Sequence, residues 1–365
     1  MKEKPQSLES QLQMARPKRA EIKRVPLTPE EKEFLGKIMD KAVAAEKAGR
    51  LAEAISHYTD YKNEFLKIKE AKERKTEIEK NFELKKQYED QVETLKKNGL
   101  IEALPSGEMG FIDITGTPRP IPTYEEILER VKAKKEFLER KREQGFSQLL
   151  LVPFGMRIAD IKNRIKKLIL EKYEQGKLNG TNGDSLELNT TLPIRIEKDF
   201  KSADLTGDLV YYPKKFDPEN HGGKTKLDIL ADEGGWDILF LEDMPDLPFK
   251  GREKAGRTQF SPGMEPYVYL YDLQNEEQYK GEQGMTPEAE LTYFMYYLQK
   301  NNKVIDDYQG SGKVNWNLGG FFKNNGTICC SGWDREHKII FVGSIGRHSR
   351  NVDYNKYSAR TAVRV

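Results

Sequence analysis

The stretch TICCSGWDREH, from Thr327 to His337, gathers the residue types that could do chemistry. Cys329 and Cys330 are the only cysteines of the chain, and Asp334 and His337 follow closely. Such a set could be a redox pair, a metal site, or a nucleophile beside its base. A disulfide between neighbouring residues closes only with strain. Zinc asks for ligand pairs spaced as C-x-x-C or H-x-x-x-H, and no second pair exists. A Cys–His nucleophile needs a group to orient the base and donors for an oxyanion, and the sequence supplies neither. On a strand the two thiols point to opposite faces, and small side chains at positions free to vary account for them.

Two other stretches invite a chemical reading. HGGKTKLDIL, from His221, follows a strand and opens a helix as a phosphate loop does. That motif requires glycine where this chain has Pro218, which lacks the backbone N–H and the open dihedrals of a cradle. A Gly-Gly turn before a helix explains the stretch. In LFLEDMPDLP, the carboxylates Glu242, Asp243 and Asp246 could serve acid–base work or bind calcium. Their place after an apolar strand and among prolines predicts a charged turn. His57 and His348 stand alone.

The elements that must position these residues set further bounds. With 365 residues, two domains are expected. The net charge of +2 gives no case for nucleic acid or an acidic membrane. No stretch reaches the roughly 18 apolar residues of a spanning helix, and the first residues lack a signal-peptide core. A cytoplasmic protein without disulfides is expected.

Residues 1–27 are polar and proline-bearing, and are expected to be disordered. Residues 28–145 read as a helical module. Thr28, Pro29 and Glu31 form a helix start of the capping-box type. Phe34, Ile38, Ala42 and Ala45 then recur at helical spacing as far as Gly49. A second helix carries Leu51 to Ile68 and a third Ile78 to Leu95. AVAAEKAGRLAEAISHYTDY looks like one tetratricopeptide helix pair, but no second copy follows, so a solvated helical hairpin is predicted. A loop leads to a bridging helix capped by Thr123 and Glu126 and stopped at Gly145.

From Phe146 strands and helices mix. FSQLLLVPF reads as a strand and GMRIADIKNRIKKLILEKYEQG as an amphipathic helix with Ile158, Ile161, Ile165 and Leu168 on one face. Short strands follow, then a helix from Thr286-Pro287, then β structure to the end. SARTAVRV alternates, with Ala359, Thr361, Val363 and Val365 on one side, and so predicts a paired final strand, expected beside the first strand of the region, near Leu149 to Phe154. Between Asp306 and Tyr357 the chain is loaded with Asn, Gly, Ser, Tyr, Trp and Arg. That is a composition of adaptable recognition surfaces, though also of ordinary turns.

WNLGGFF, GWDRE and the closing SARTAVRV resemble the C-terminal region of variable proteins targeted by diversity-generating retroelements. The resemblance reaches back through VIDDYQGSG, MTPEAELTYF, GGWDILFLEDMPDLP, NHGGKTKLDIL and LLLVPFGM, covering residues 146–365. It implies a C-type lectin-like fold related to the formylglycine-generating enzymes. The expected architecture is therefore α+β: an N-terminal helical module, then a C-type lectin-like domain with an insertion. Residues 308–365 would be the variable region. In that family, copying errors at template adenines exchange solvent-facing residues of a fixed scaffold.

On that resemblance Trp333, Asp334, Arg360, Ala362 and Val363 hold the scaffold. With Trp333 inward, Ile328, Cys330 and Gly332 alternate outward; burying Ile340 and Val342 leaves Ile339 and Phe341 exposed. His337 in the intervening turn and Phe321, Ser349, Asp353 and Asn355 on nearby loops complete the candidate surface. An exposed Ile and Phe suit a contact patch. The implied function is ligand binding, to a protein, through this surface. The helical module would oligomerise the binder or recruit a partner. No enzyme activity, cofactor or metal is expected, and neither membrane nor nucleic acid as partner. Formylglycine-generating enzymes use well-separated cysteines, unlike this pair, and the calcium motifs of sugar-binding lectins are missing. The alternatives are an enzyme of the formylglycine-generating type and a helical adaptor that does not vary.

Overall fold

The computed structural model describes residues 7–17, 25–197, 200, 202–346 and 352–365. The chain divides into two compact units, Met1–Glu83 and Leu84–Val365.

In the first unit, Ser7 caps α1 (Leu8–Ala15) by accepting from the Ser10 N–H at 3.3 Å. This corrects the expected disorder for that stretch. Leu12 and Ala15 bury against Ala42, Ala45, Ala54 and Tyr58, so a short polar segment finds an apolar seam. Residues 1–6 and 18–24 lie outside the described residues. The predicted capping box opens α2 (Pro29–Lys47): Thr28 Oγ1 accepts from Glu31 N–H at 3.2 Å, and Glu31 accepts from Thr28 N–H at 2.7 Å. After Gly49, at φ +73°, the next helix starts. That helix, α3 (Leu51–Lys97), is continuous where two helices were expected. The intervening residues contain no Gly or Pro and many Lys and Glu, so nothing breaks it.

The boundary falls within α3 rather than at Gly145. From Leu84 onward the chain belongs to the second unit, because Gln87 and Gln91 satisfy the backbone of an edge strand. Gln87 Oε1 accepts from Leu149 N–H at 2.7 Å, and Gln91 Nε2 donates to Leu149 O at 3.0 Å. A bare strand edge is thereby covered. The expected loop contains a small antiparallel meander, β1 (Glu102–Ala103), β2 (Met109–Ile112) and β3 (Pro118–Pro120). The bridging helix has the predicted Thr123–Glu126 box but breaks at Lys134 into α4 (Tyr124–Ala133) and α5 (Lys135–Glu143).

Mixed α and β structure follows: β4 (Phe146–Val152), α6 (Ile158–Glu174), β5 (Ile194–Ile196), α7 (Ala203–Thr206), β6 (Leu209–Tyr211), β7 (Lys224–Thr225), α8 (Lys226–Glu233) and β8 (Asp237–Glu242). Next come β9 (Glu253–Lys254), β10 (Arg257–Thr258), α9 (Pro266–Asn275), β11 (Glu282–Gly284) and α10 (Pro287–Asn301). The chain closes with β12 (Asp307–Tyr308), β13 (Val314–Phe322), β14 (Thr327–Asp334), β15 (Ile339–Gly346), β16 (Tyr357–Ser358) and β17 (Thr361–Arg364).

Two sheets dominate. The smaller runs β11–β17–β8–β4, all antiparallel, so the final strand is paired as its alternation predicts. It was expected beside the first strand of the region, but β8 lies between them, with Leu239 opposite both Leu150 and Arg364. The larger sheet runs β5–β15–β14–β13–β6–β7. Facing its inner side are α6 and α10, closing a core of Ile161, Ile165, Trp333, Ile340, Val342 and Ala362. A second core covers the outer side, built from Phe216, Phe260, Tyr269, Leu270, Leu273 and Tyr279. Among the described residues no helix is long and apolar enough to cross a membrane.

Candidate functional site

The terminal hairpin β14–β15 obeys the alternation expected of it. Cys329 and Trp333 enter the inner core, while Ile328 and Cys330 lie on the other face. That face is not wet. Ile328, Cys330 and Phe321 are sealed into the outer core beneath α9, contrary to the exposure expected of them. Gly332 is buried too, and a Cβ there would stand 3.1 Å from the Asp306 carbonyl, so a larger side chain requires that carbonyl to give way by a few tenths of an ångström. Ile339 is buried as well, where residues 189–193 run alongside: Asn189 donates to Lys338 O and Ile340 to Pro193 O. Of the apolar candidates only Phe341 reaches the surface, half-buried at the edge of the outer core.

A buried polar bolt fixes this hairpin. Arg360 donates to Met244 O at 2.7 Å, Pro245 O at 3.1 Å and Asp306 Oδ1 at 2.8 Å, with Tyr293 beneath its guanidinium. Asp306 holds a left-handed φ of +47° and accepts on its carbonyl from Trp333 N–H at 3.1 Å. Burial pushes its carboxyl well above the usual range, against the pull of Arg360. Trp333, Arg360, Ala362 and Val363 are all buried. The acidic run expected as a charged turn is partly recruited here. Glu242 accepts from the buried Arg257, and Asp246 accepts from Asp307 N–H at 2.9 Å.

At the hairpin tip, Asp334 accepts from the His337 N–H at 3.0 Å and pairs with its Nδ1 at 2.7 Å, leaving the ring half exposed. Arg335 bridges Asp307 and Asp184, at 2.7 Å and 2.6 Å, and Lys338 pairs with Glu187. A shallow cleft of about 200 Å³ lies between, lined by Ser185, Leu186, Glu187, Trp333, Arg335 and Lys338. Its cations, Arg335 and Lys338, are already paired. The two cysteines are free and dry, and burial pushes both thiols up, so neither offers a thiolate near neutral pH.

No protein-family model, curated protein or solved structure matches the chain.

Four half-buried aromatics pack against the outer core and form a rim on it: Tyr308, Phe341, Tyr354 and Tyr357. Tyr357 stacks on Trp316 with centroids 4.6 Å apart. The Gly263 N–H is shared between the carbonyls of Tyr354 and Tyr357, and Ser358 Oγ donates to Phe260 O, tying residues 354–358 down. Beside these anchors Asp353, Asn355 and Lys356 face solvent, with Asp353 accepting from the Asn355 N–H at 3.2 Å. Lys356 lies beside Tyr308, and Gln309 donates to Glu336 at 3.1 Å, linking the rim to the hairpin tip. Of the candidate surface, then, Phe341, His337, Asp353 and Asn355 are accessible, while Ser349 lies outside the described residues. Sequence reasoning missed Tyr308, Tyr354 and Tyr357. Their signal was the tyrosine-rich composition of the same stretch.

Proposed function

We propose that the second unit is a ligand-binding module, of C-type lectin-like design, that presents exchangeable polar side chains beside fixed tyrosines. The placing of β4 and β17 in one sheet, with α6 and α10 against the other, is in keeping with that design. The observation that carries the reading is the rim itself. Tyrosines anchored from below supply rigid contact area at low entropy cost, and short polar residues beside them adapt to a partner. The ligand is a protein, since the surface is a broad rim on a filled core rather than a pocket. The helical unit serves to oligomerise the binder or recruit its partner, multiplying weak contacts.

Sequencing the terminal codons across a population, together with the neighbouring DNA, tests this. Variation is expected at Gln309, Glu336, His337, Asp353, Asn355 and Lys356, beside a reverse transcriptase gene and a template repeat. It should be missing from Ile328, Cys330 and Ile339. Uniform termini without a repeat, or variation concentrated at the buried positions, would overturn the proposal. Asp353→Asn, which keeps an acceptor for the Asn355 N–H, with Asn355→Ala should change stability by no more than about 0.5 kcal/mol.

A further inference from the structure

Lys226 opens α8, yet its side chain is fully buried. The ammonium donates to Met156 O at 2.8 Å and lies 2.8 Å from Glu288 Oε1 and 3.4 Å from Asp204 Oδ2. Glu288 is also shut from solvent, and Asp204 is 4% exposed. The rings of Phe154 and Tyr211 stand 5.4 Å and 5.8 Å from the ammonium, so the walls are aromatic. One lysine thus faces two carboxylates in a dry compartment, where charges are costly to hold.

The two carboxylates are not equivalent. Asp204 Oδ2 accepts from the Ile158 N–H at 3.2 Å, at the start of the 17-residue α6. Arg157 offers no side-chain cap there, so Asp204 takes that place. A negative charge growing on this oxygen is therefore stabilised. Glu288 Oε1 accepts from the Tyr211 hydroxyl at 2.5 Å, while Oε2 has no hydrogen-bond partner among the described residues. Burial and the nearby Glu288 hold the Tyr211 phenol well above its usual range, so it stays a donor. An unfilled carboxylate oxygen close to an amine is a place to receive a proton.

We propose that Lys226 and Asp204 condense to an amide bond within the folded chain, with Glu288 carrying the proton. One proton of the ammonium first passes to Asp204, leaving a neutral amine beside a carboxylic acid. The amine nitrogen bonds to the Asp204 carboxyl carbon, and charge gathers on the oxygen facing the Ile158 N–H. Glu288 takes the excess proton from nitrogen and delivers it to the hydroxyl oxygen of Asp204, whose C–O bond breaks. One water leaves, and Glu288 is a carboxylate again. The balance needs no oxidant or other co-reactant. Two fixed partners replace a bimolecular encounter, and a buried ion pair gives way to a neutral amide. The link ties α7 to α8 around β6 and β7. It involves framework residues alone and does not rest on the display reading.

The test is the mass of the intact full chain under denaturing conditions, which needs neither a variant nor a ligand. The protein should be lighter than its sequence by one water, wholly or in a fraction that grows on incubation. Trypsin should leave the bond after Lys226 uncut in that species, and fragment ions should join Lys226 to Asp204. In Glu288→Gln, checked to keep the native near-ultraviolet signal, linkage should be slower by about 100-fold or more. Asp204→Ala should stay at full mass. A natural chain at full sequence mass after prolonged incubation, a link between other residues, the same loss of water in Asp204→Ala, or an undiminished rate in Glu288→Gln would overturn the proposal.

Discussion

The two faces of the larger sheet bury similar side chains under different roofs. On the inner face, Trp333, Ile340 and Val342 meet the long helices α6 and α10. On the outer face, Trp316, Phe321, Ile328 and Cys330 meet the short helix α9, the irregular stretch around Phe216, and Tyr357. Regular cover is built once and shared by many residues, whereas the outer cover is assembled from pieces distant in sequence. A strand pattern fixes which residues share a face, but says nothing of what lies beyond that face.

The inner layer is most vulnerable at the bolt. Arg360→Ala leaves Asp306 buried without its cation and should cost about 3–5 kcal/mol, measured by denaturant unfolding. A cost near zero would mean that Arg360 does not hold the inner layer. The outer layer comes next. Ile328→Ala should cost about 2–5 kcal/mol, where a solvent-facing residue would lose no more than about 0.5 kcal/mol. The smallest effect is alkaline. Burial raises Tyr269 and Tyr279 from 10.0 to about 12. Folding therefore favours their protonated forms, a contribution intact below about pH 10 and lost as pH climbs through the folded-state values. Tyr269→Phe should cost about 1 kcal/mol, through the lost bond to Ser261 O, and make that alkaline loss shallower.

Much of the framework was legible. The Thr28 and Thr123 boxes, the face of α6 and the pairing of the last strand all follow from local spacing. The continuity of α3 was missed because an apolar stripe that pauses looks like a helix that ends, although no breaker stood in the gap. The boundary at Glu83 depended on Gln87 and Gln91 reaching β4, a contact with no local signature. The exposure of the candidate surface failed for a related reason. Alternation assigned Ile328 and Cys330 to the correct side, but α9, some 60 residues earlier in the chain, covers it.

Cys329 and Cys330 are consecutive, yet each is shut in a separate dry compartment. The chain thus contains two natural reporters, one for each layer. Lifting the α9 lid alone should expose the second sulfur to an alkylating reagent while the first stays silent, and loosening α10 should do the reverse. Mapping which thiol is modified would record which half of the molecule breathes, without any engineered label.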